Sequence, residues 1–231
     1  MLEIKKLNQF YGQSHTLWDL DLEIKQGRCT CLMGRNGVGK TTLMKSIMGL
    51  LPTKSGEILF EGKNIAKLGS EKRARIGIGY VPQGRDIFSQ LSVKENIDIG
   101  LLGNRNGLKS VPDKIYELFP VLKEMLKRKG GDLSGGQQQQ LAIARALCLE
   151  PKLLILDEPA EGIQPNIVQQ IGSVIDYLTK EEKITVILVE QKLPFARRHA
   201  DDFFLLERGR VVANGEISGL SDEIVEQYLS V

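Results

Sequence analysis

Three short stretches of this 231-residue chain carry residue types suited to handling a phosphate chain. Gly34-Arg35-Asn36-Gly37-Val38-Gly39-Lys40-Thr41 fits the pattern G-x-x-x-x-G-K-[ST] without a gap. Glycines flanking four residues let successive backbone N–H groups turn inward around an anion, because no Cβ blocks the approach. Lys40 adds a mobile positive charge for the outer phosphates, and Thr41 offers a hydroxyl to Mg²⁺. Arg35, Asn36, Val38 and Thr42 complete the stretch that would line a nucleotide, at the positive end of a helix dipole. The second stretch is Asp157-Glu158, two acids at the end of an apolar run. Adjacent strand residues point apart, so Asp157 is free to orient Mg²⁺ while Glu158 polarises the water that attacks the terminal phosphorus. In the third, Ser134 caps a helix opened by Gly135, Gly136 and Gln137, whose exposed N–H groups can receive an anion. Two further residues belong with these. Gln83 brings a neutral amide to a strand end, where it can coordinate Mg²⁺ or hold a water. Tyr11, in Phe10-Tyr11-Gly12, reads equally as a ring stacked on adenine and as a core residue.

The elements that must position these groups follow from periodicity. Cys29–Met33 is a short apolar run that predicts a buried strand, and Leu43, Met44, Ile47, Met48 and Leu51 recur at helical spacing until Pro52. Strand, glycine loop and helix thus come in the order a phosphate loop requires. Leu2–Leu7 and Leu20–Ile24 alternate as half-buried strands with a loop between them, Glu57–Lys63 adds a third strand, and Trp18 reads as packing. Ile76–Val81 predicts a strand that ends at Pro82. From Arg85 to Glu150 the pattern is helical: Ile115, Leu118, Phe119, Leu122 and Leu126 share one face, broken into two helices by Pro120. Gly130–Leu133 reads as a hinge-like exit, and the later glutamines of Gln137–Gln140 as exposed. Leu153–Leu156 and Thr185–Val189 predict strands buried on both faces. Phe203–Leu206 and Val211–Val212 flank a charged hairpin turn, and Ser221–Leu229 closes the chain as an amphipathic helix.

Composition narrows the class of protein. A hydrophobic content of 42 % supports a packed core, and 31 Lys plus Arg against 29 Asp plus Glu leave a net charge of +2, which gives no sign of a nucleic-acid partner. No apolar run reaches the roughly 18 residues of a membrane span, and the amino terminus lacks a signal-peptide pattern, so a cytoplasmic protein is expected. Cys29, Cys31 and Cys148 read as buried strand residues rather than as a metal site.

Taken in order, the motifs resemble those of the ATP-binding subunits of ABC transporters from about Leu2 to Arg210. GRNGVGKT is similar to Walker A, YVPQ to the Q-loop, LSGGQ to the ABC signature and LLILDE to Walker B. The resemblance implies an α/β P-loop NTPase (RecA-like) core with an amino-terminal antiparallel β-layer and an inserted α-helical subdomain. It places the core and β-layer in residues 1–84 and 151–231 of a single domain, with 85–150 as the helical part. It implies ATP with Mg²⁺, and a head-to-tail pair of cassettes in which Ser134, Gly136 and Gln137 serve the partner's nucleotide. It further implies a permease on the inner face of the cell membrane, served by a solute-binding protein. Within the family, IGIGYVPQGRDIF, LDEPAEGIQP and LVEQK are similar to the branched-chain amino acid and urea uptake subgroup. EGIQ with LSGGQQQQLAIARAL leans toward urea, with branched-chain amino acids as the alternative. A soluble, non-transport ABC ATPase and a non-hydrolysing adaptor are the readings from other classes. Two positions depart from the wider pattern: Gln164 stands where most D-loops end in Asp, and Gln191 where most members carry a switch His. Gln191 can still hydrogen-bond the terminal phosphate but cannot become a cation, so slower hydrolysis is expected, with Glu158 as the base. His199 lies too late to substitute.

Overall fold

A run of apolar residues with no polar partner is satisfied only between two covered faces, and the chain contains several such runs. The computed structural model describes residues 1–229; residues 230 and 231, which end the expected domain span, lie outside the described residues. The order begins β1 (Leu2–Tyr11), β2 (Ser14–Ile24), β3 (Cys29–Met33), α1 (Lys40–Ile47), β4 (Ser55–Phe60), β5 (Lys63–Asn64), α2 (Ser70–Arg75) and β6 (Ile78–Val81). Helices α3 (Val93–Leu102), α4 (Asp113–Leu118), α5 (Pro120–Glu124) and α6 (Gly135–Leu147) follow. The chain continues with β7 (Leu153–Asp157), α7 (Pro165–Lys180), β8 (Thr185–Val189), α8 (Leu193–His199), β9 (Asp202–Glu207), β10 (Arg210–Glu216) and α9 (Asp222–Tyr228).

Two sheets form. An antiparallel layer runs β2-β1-β4-β5, and a six-stranded sheet runs β10-β9-β3-β8-β7-β6, parallel except for β10. Strand period decides which core each residue joins. Leu153 and Ile155 face the antiparallel layer and α1, where they meet Leu2, Ile4, Leu43 and Ile47, while Leu154 and Leu156 face α6 and α7. Cys29, Cys31 and Met33 join the second face with Leu141 and Ile171. All three cysteines are buried and free, with Cys29 and Cys31 in β3 as expected and Cys148 at the carboxyl end of α6 rather than in a strand. Because β3, β8, β7 and β6 are parallel neighbours, their carboxyl ends lie side by side along one edge. Open parallel sheets receive ligands at that edge.

Several expectations need correction. The two amino-terminal strands are longer than their alternation suggested and meet at a tight turn on Gly12 and Gln13. Trp18 is 39 % exposed rather than core, and its ring stacks on His15 at 3.6 Å between centroids with the Arg210 guanidinium 5.4 Å from its own centroid. Gly130–Asp132 form a 3₁₀ turn that is pinned, not hinged: Gly130 N donates to Leu91 O at 2.8 Å and Gly131 N to Ser89 O at 2.9 Å. Gln139 and Gln140 are buried, because at helical spacing they fall on the side of α6 that turns toward the core; Gln140 Nε2 donates to Gln170 Oε1 of α7 at 2.9 Å. Helices α2, α7 and α8 had no counterpart in the sequence reading. No described helix is long and apolar enough to cross a membrane.

Candidate functional site

The phosphate loop leaves β3 and turns into α1 under steric control from the opposite end of the chain. Gly34 has φ 146°, and a Cβ there would sit 2.4 Å from Leu206 O of β9, so only glycine fits. The β9–β10 turn braces the other side: Gly209 N donates to Val38 O at 2.9 Å, and Trp18 N donates to Gly209 O at 2.9 Å. Lys40 is buried at the first turn of α1, where its Nζ donates to Gly34 O at 2.7 Å and Arg35 O at 3.0 Å. Burial lowers its pKa, opposed by the nearby Glu158 and Asp157 carboxylates. Arg35, Asn36 and Gly37 are exposed at the crest, while Thr42 is buried. Tyr11 OH lies 3.5 Å from Thr42 Oγ1 with its ring 49 % exposed at the strand end, so of its two readings the core one is excluded.

Asp157 ends β7 almost fully buried, with Tyr80 OH donating to its Oδ2 at 3.3 Å. Burial raises its pKa above the usual carboxylate value, Glu158 adds to the rise, and the Tyr80, Thr41 and Lys40 side chains oppose it. Burial and this same carboxylate push the Tyr80 phenol well up. Asp157 Oδ1 has no hydrogen-bond partner among the described residues. An orphaned carboxylate oxygen beside the Thr41 hydroxyl fits a divalent cation. No cluster of three acidic, His or Cys side chains supports one among the described residues, so phosphate and water oxygens would complete the coordination.

Glu158 follows with a left-handed backbone, φ 51°, which costs about 1–2 kcal/mol for a residue with a Cβ. Its N–H still donates to Val189 O at 2.9 Å, so the neighbouring strand end holds the turn. Both its carboxylate oxygens receive glutamine amides: Gln191 Nε2 donates to Oε1 at 2.6 Å and Gln83 Nε2 to Oε2 at 3.2 Å. Gln191 Nε2 also donates to Asn36 Oδ1 at 2.9 Å, and Gln83 Nε2 to Glu161 Oε2 at 2.8 Å. One hydrogen-bonded chain therefore runs from the phosphate loop through Gln191, Glu158 and Gln83 to Glu161. Gln191 is aimed by Glu190, whose buried Oε1 accepts from the N–H groups of Gln191 at 2.9 Å and Lys192 at 3.0 Å. Burial raises the Glu190 pKa, and these two backbone donors oppose the rise.

The structure thus brings together the phosphate loop, Gln83, Asp157, Glu158 and Gln191. Ser134, Gly136 and Gln137 stand apart from them. Ser134 and Gln137 form a reciprocal cap at the start of α6, and Gly136 packs against Ile167 of α7. No hydrogen bond among the described residues joins them to the phosphate loop. Tyr80, Glu161 and Glu190 lie within the quoted stretches YVPQ, LDEPAEGIQP and LVEQK but were given no role in the sequence reading; their signal was that membership.

Comparison with known proteins gives one family. The ABC transporter family profile matches residues 17–161. The high-affinity branched-chain amino acid transport ATP-binding protein BraG of Pseudomonas aeruginosa is 43 % identical over 213 residues, covering 92 % of this chain and 91 % of that protein. The probable branched-chain amino acid transport ATP-binding protein LivF of Archaeoglobus fulgidus is 39 % identical over 221 residues, covering 95 % and 94 %. Among solved structures, a dimeric post-hydrolysis ATP-binding cassette with ADP and Pi superposes with TM-score 0.84 at 25 % identity, covering 95 % of this chain and all of that one. A glycine loop of phosphate-binding pattern, an acid pair beside it and a matching profile over most of the length lead to one conclusion: the chain belongs to the ABC transporter family and is one of its ATP-binding cassettes, an ATPase.

Proposed function

We propose that the chain hydrolyses ATP to drive an importer of branched-chain amino acids. The observation that carries hydrolysis is the convergence of Lys40, Asp157, Glu158 and Gln191 on one sheet edge. The solute rests on the names of BraG and LivF, which favour the branched-chain alternative over the urea preference drawn from EGIQ.

In this reading Gly34–Thr42 hold the nucleotide, with Tyr11 against its base. Lys40 releases the loop carbonyls of Gly34 and Arg35 to meet the outer phosphates. Thr41, Asp157 and Gln83 would hold Mg²⁺, which supplies charge neutralisation on the phosphates when bound. Glu158 takes the proton of the attacking water, and Gln191 positions that water or the terminal phosphate through a neutral amide. Ser134, Gly136 and Gln137 serve the nucleotide of a second cassette, a pairing supported by the dimeric relatives of known structure. Residues 85–150 form the helical part that passes the motion to permease subunits on the inner face of the membrane, fed by a solute-binding protein. Steady-state phosphate release by the chain with its permease and binding protein tests the reading. Stimulation by leucine and not by urea is expected, whereas stimulation by urea alone would return the solute to the first expectation, and release unaffected by Glu158→Gln would remove the proposed base.

A further inference from the structure

The stretch after Gln83 is strained at two successive positions. Arg85 has φ 66° and Asp86 φ 46°, both left-handed conformations that residues with a Cβ rarely adopt. Such pairs persist only when the surroundings over-determine them. Here Arg145 of α6 donates from Nη2 to Asp86 O at 2.7 Å and to Arg85 O at 3.3 Å, and Arg85 N donates to Pro82 O at 2.8 Å. Just beyond, the buried Asn96 side chain clamps Phe88 from both sides, accepting from its N–H at 2.8 Å and donating to its carbonyl at 3.0 Å. The segment is a short taut link between the end of β6 and a fixed point on α3.

Its two ends touch different chemistry. Gln83 donates to Glu158, as described above. Arg85 Nη1 donates to Gln138 Oε1 at 3.3 Å, and its guanidinium lies along Gly135, where an added Cβ would come within 3.1 Å of Nη1. Only Gly84 separates the two residues, so a shift at the amino end of α6 reaches Gln83 through one guanidinium and one strained turn.

We propose that Arg85 is a positioning residue that couples the Ser134–Gln138 turn to Gln83, and through Gln83 to Glu158. This rests on Glu158 acting as the base. A chain in which the signature turn engages a nucleotide then loosens or tightens the amide on its own Glu158, linking the two kinds of phosphate site within one cassette.

The test is a double-mutant cycle on steady-state phosphate release by the full chain at saturating Mg-ATP. In the parent, Gln83→Ala and Gln138→Ala should combine with about fivefold departure from the product of their single effects on kcat. With Arg85→Gly the departure should fall within about twofold, while the melting temperature does not drop, because glycine accepts the left-handed backbone. Asp86→Gly relieves the adjacent strain without touching the guanidinium and should keep the coupling. Persistence of the coupling in Arg85→Gly, its absence in the parent, or its equal loss in Asp86→Gly would each overturn the proposal. Glu158→Gln in the parent keeps the two readings separate: undiminished release there removes the base itself, whereas Glu158-dependent release with unchanged coupling removes only Arg85.

Discussion

Gln191 and Glu158 are joined by a 2.6 Å hydrogen bond, and the same Gln191 nitrogen reaches Asn36 of the phosphate loop at 2.9 Å. Gln191 thus ties the proposed base to the loop with a group that carries no charge at any working pH.

Substitution of the proposed base and of the loop lysine should separate chemistry from binding. Glu158→Gln is expected to lower kcat by about 100-fold or more while ATP binding is retained, because the amide keeps the shape but cannot take a proton. Lys40→Ala should weaken nucleotide binding as well. Phosphate release together with a nucleotide titration distinguishes the two, and full activity in either variant contradicts its assigned role.

Exchange at the switch should appear in the pH profile. The parent gains no ionisation from Gln191, whereas Gln191→His adds a group with an ordinary pKa of about 6.5 beside Glu158. The variant's kcat should therefore change through pH 6–7 where the parent's does not. Identical profiles would show that residue 191 does not act on the reacting groups.

Asp157 is held at a cost to the fold. Burial raises its pKa above the ordinary 3.8, so the native chain keeps a proton that the unfolded chain has already lost. Stability therefore falls as pH rises through that window, and the full cost is present above the native pKa. Asp157→Asn should melt higher than the parent at pH 7, with the advantage shrinking toward pH 3.8. A lower melting temperature at pH 7 would contradict this account.

Arg73 is a structural cation whose removal is expected to be severe. Only 2 % exposed, it donates to Leu68 O at 2.8 Å, Ser46 O at 2.6 Å, Ile47 O at 2.7 Å and Ala66 O at 2.9 Å, closing the carboxyl end of α1. Arg73→Ala removes these buried hydrogen bonds together, leaving Ser46 O only its Gly49 N–H partner, and a loss of about 3 kcal/mol in urea unfolding is expected. A loss under about 1 kcal/mol would mean that water replaces the guanidinium.

The parts of this site that were legible beforehand are those where phosphate chemistry dictates residue type. Gly34, Lys40, Thr41, Asp157 and Glu158 are recognisable because few other residues can do their work, and the parallel strands behind them because a doubly covered strand must be apolar throughout. Arg73 and Arg85 were invisible for the opposite reason. Each acts on backbone carbonyls or a helix end brought near by folding, and a lone basic residue carries no local pattern. The glutamines of α6 show the limit of polarity as a guide: Gln139 and Gln140 are buried despite their amides, because helical phase overrode composition. Helix α7 carried a plain signal that the sequence reading passed over: Ile167, Ile171, Val174, Ile175 and Leu178 recur at helical spacing behind Pro165.

Strand β3, which delivers the phosphate loop, has no early neighbour: it pairs with β8 through Cys29 to Val186 and with β9 through Thr30 to Asp202. During synthesis the loop therefore emerges long before the strands and the Gly209 turn that shape it. A nascent chain halted after α7 should bind no nucleotide, and acquisition of ATP affinity should coincide with release of the β9–β10 hairpin from the ribosome. On this dependence a cassette truncated before β9 would lack the contacts of Leu206 and Gly209 that shape its loop.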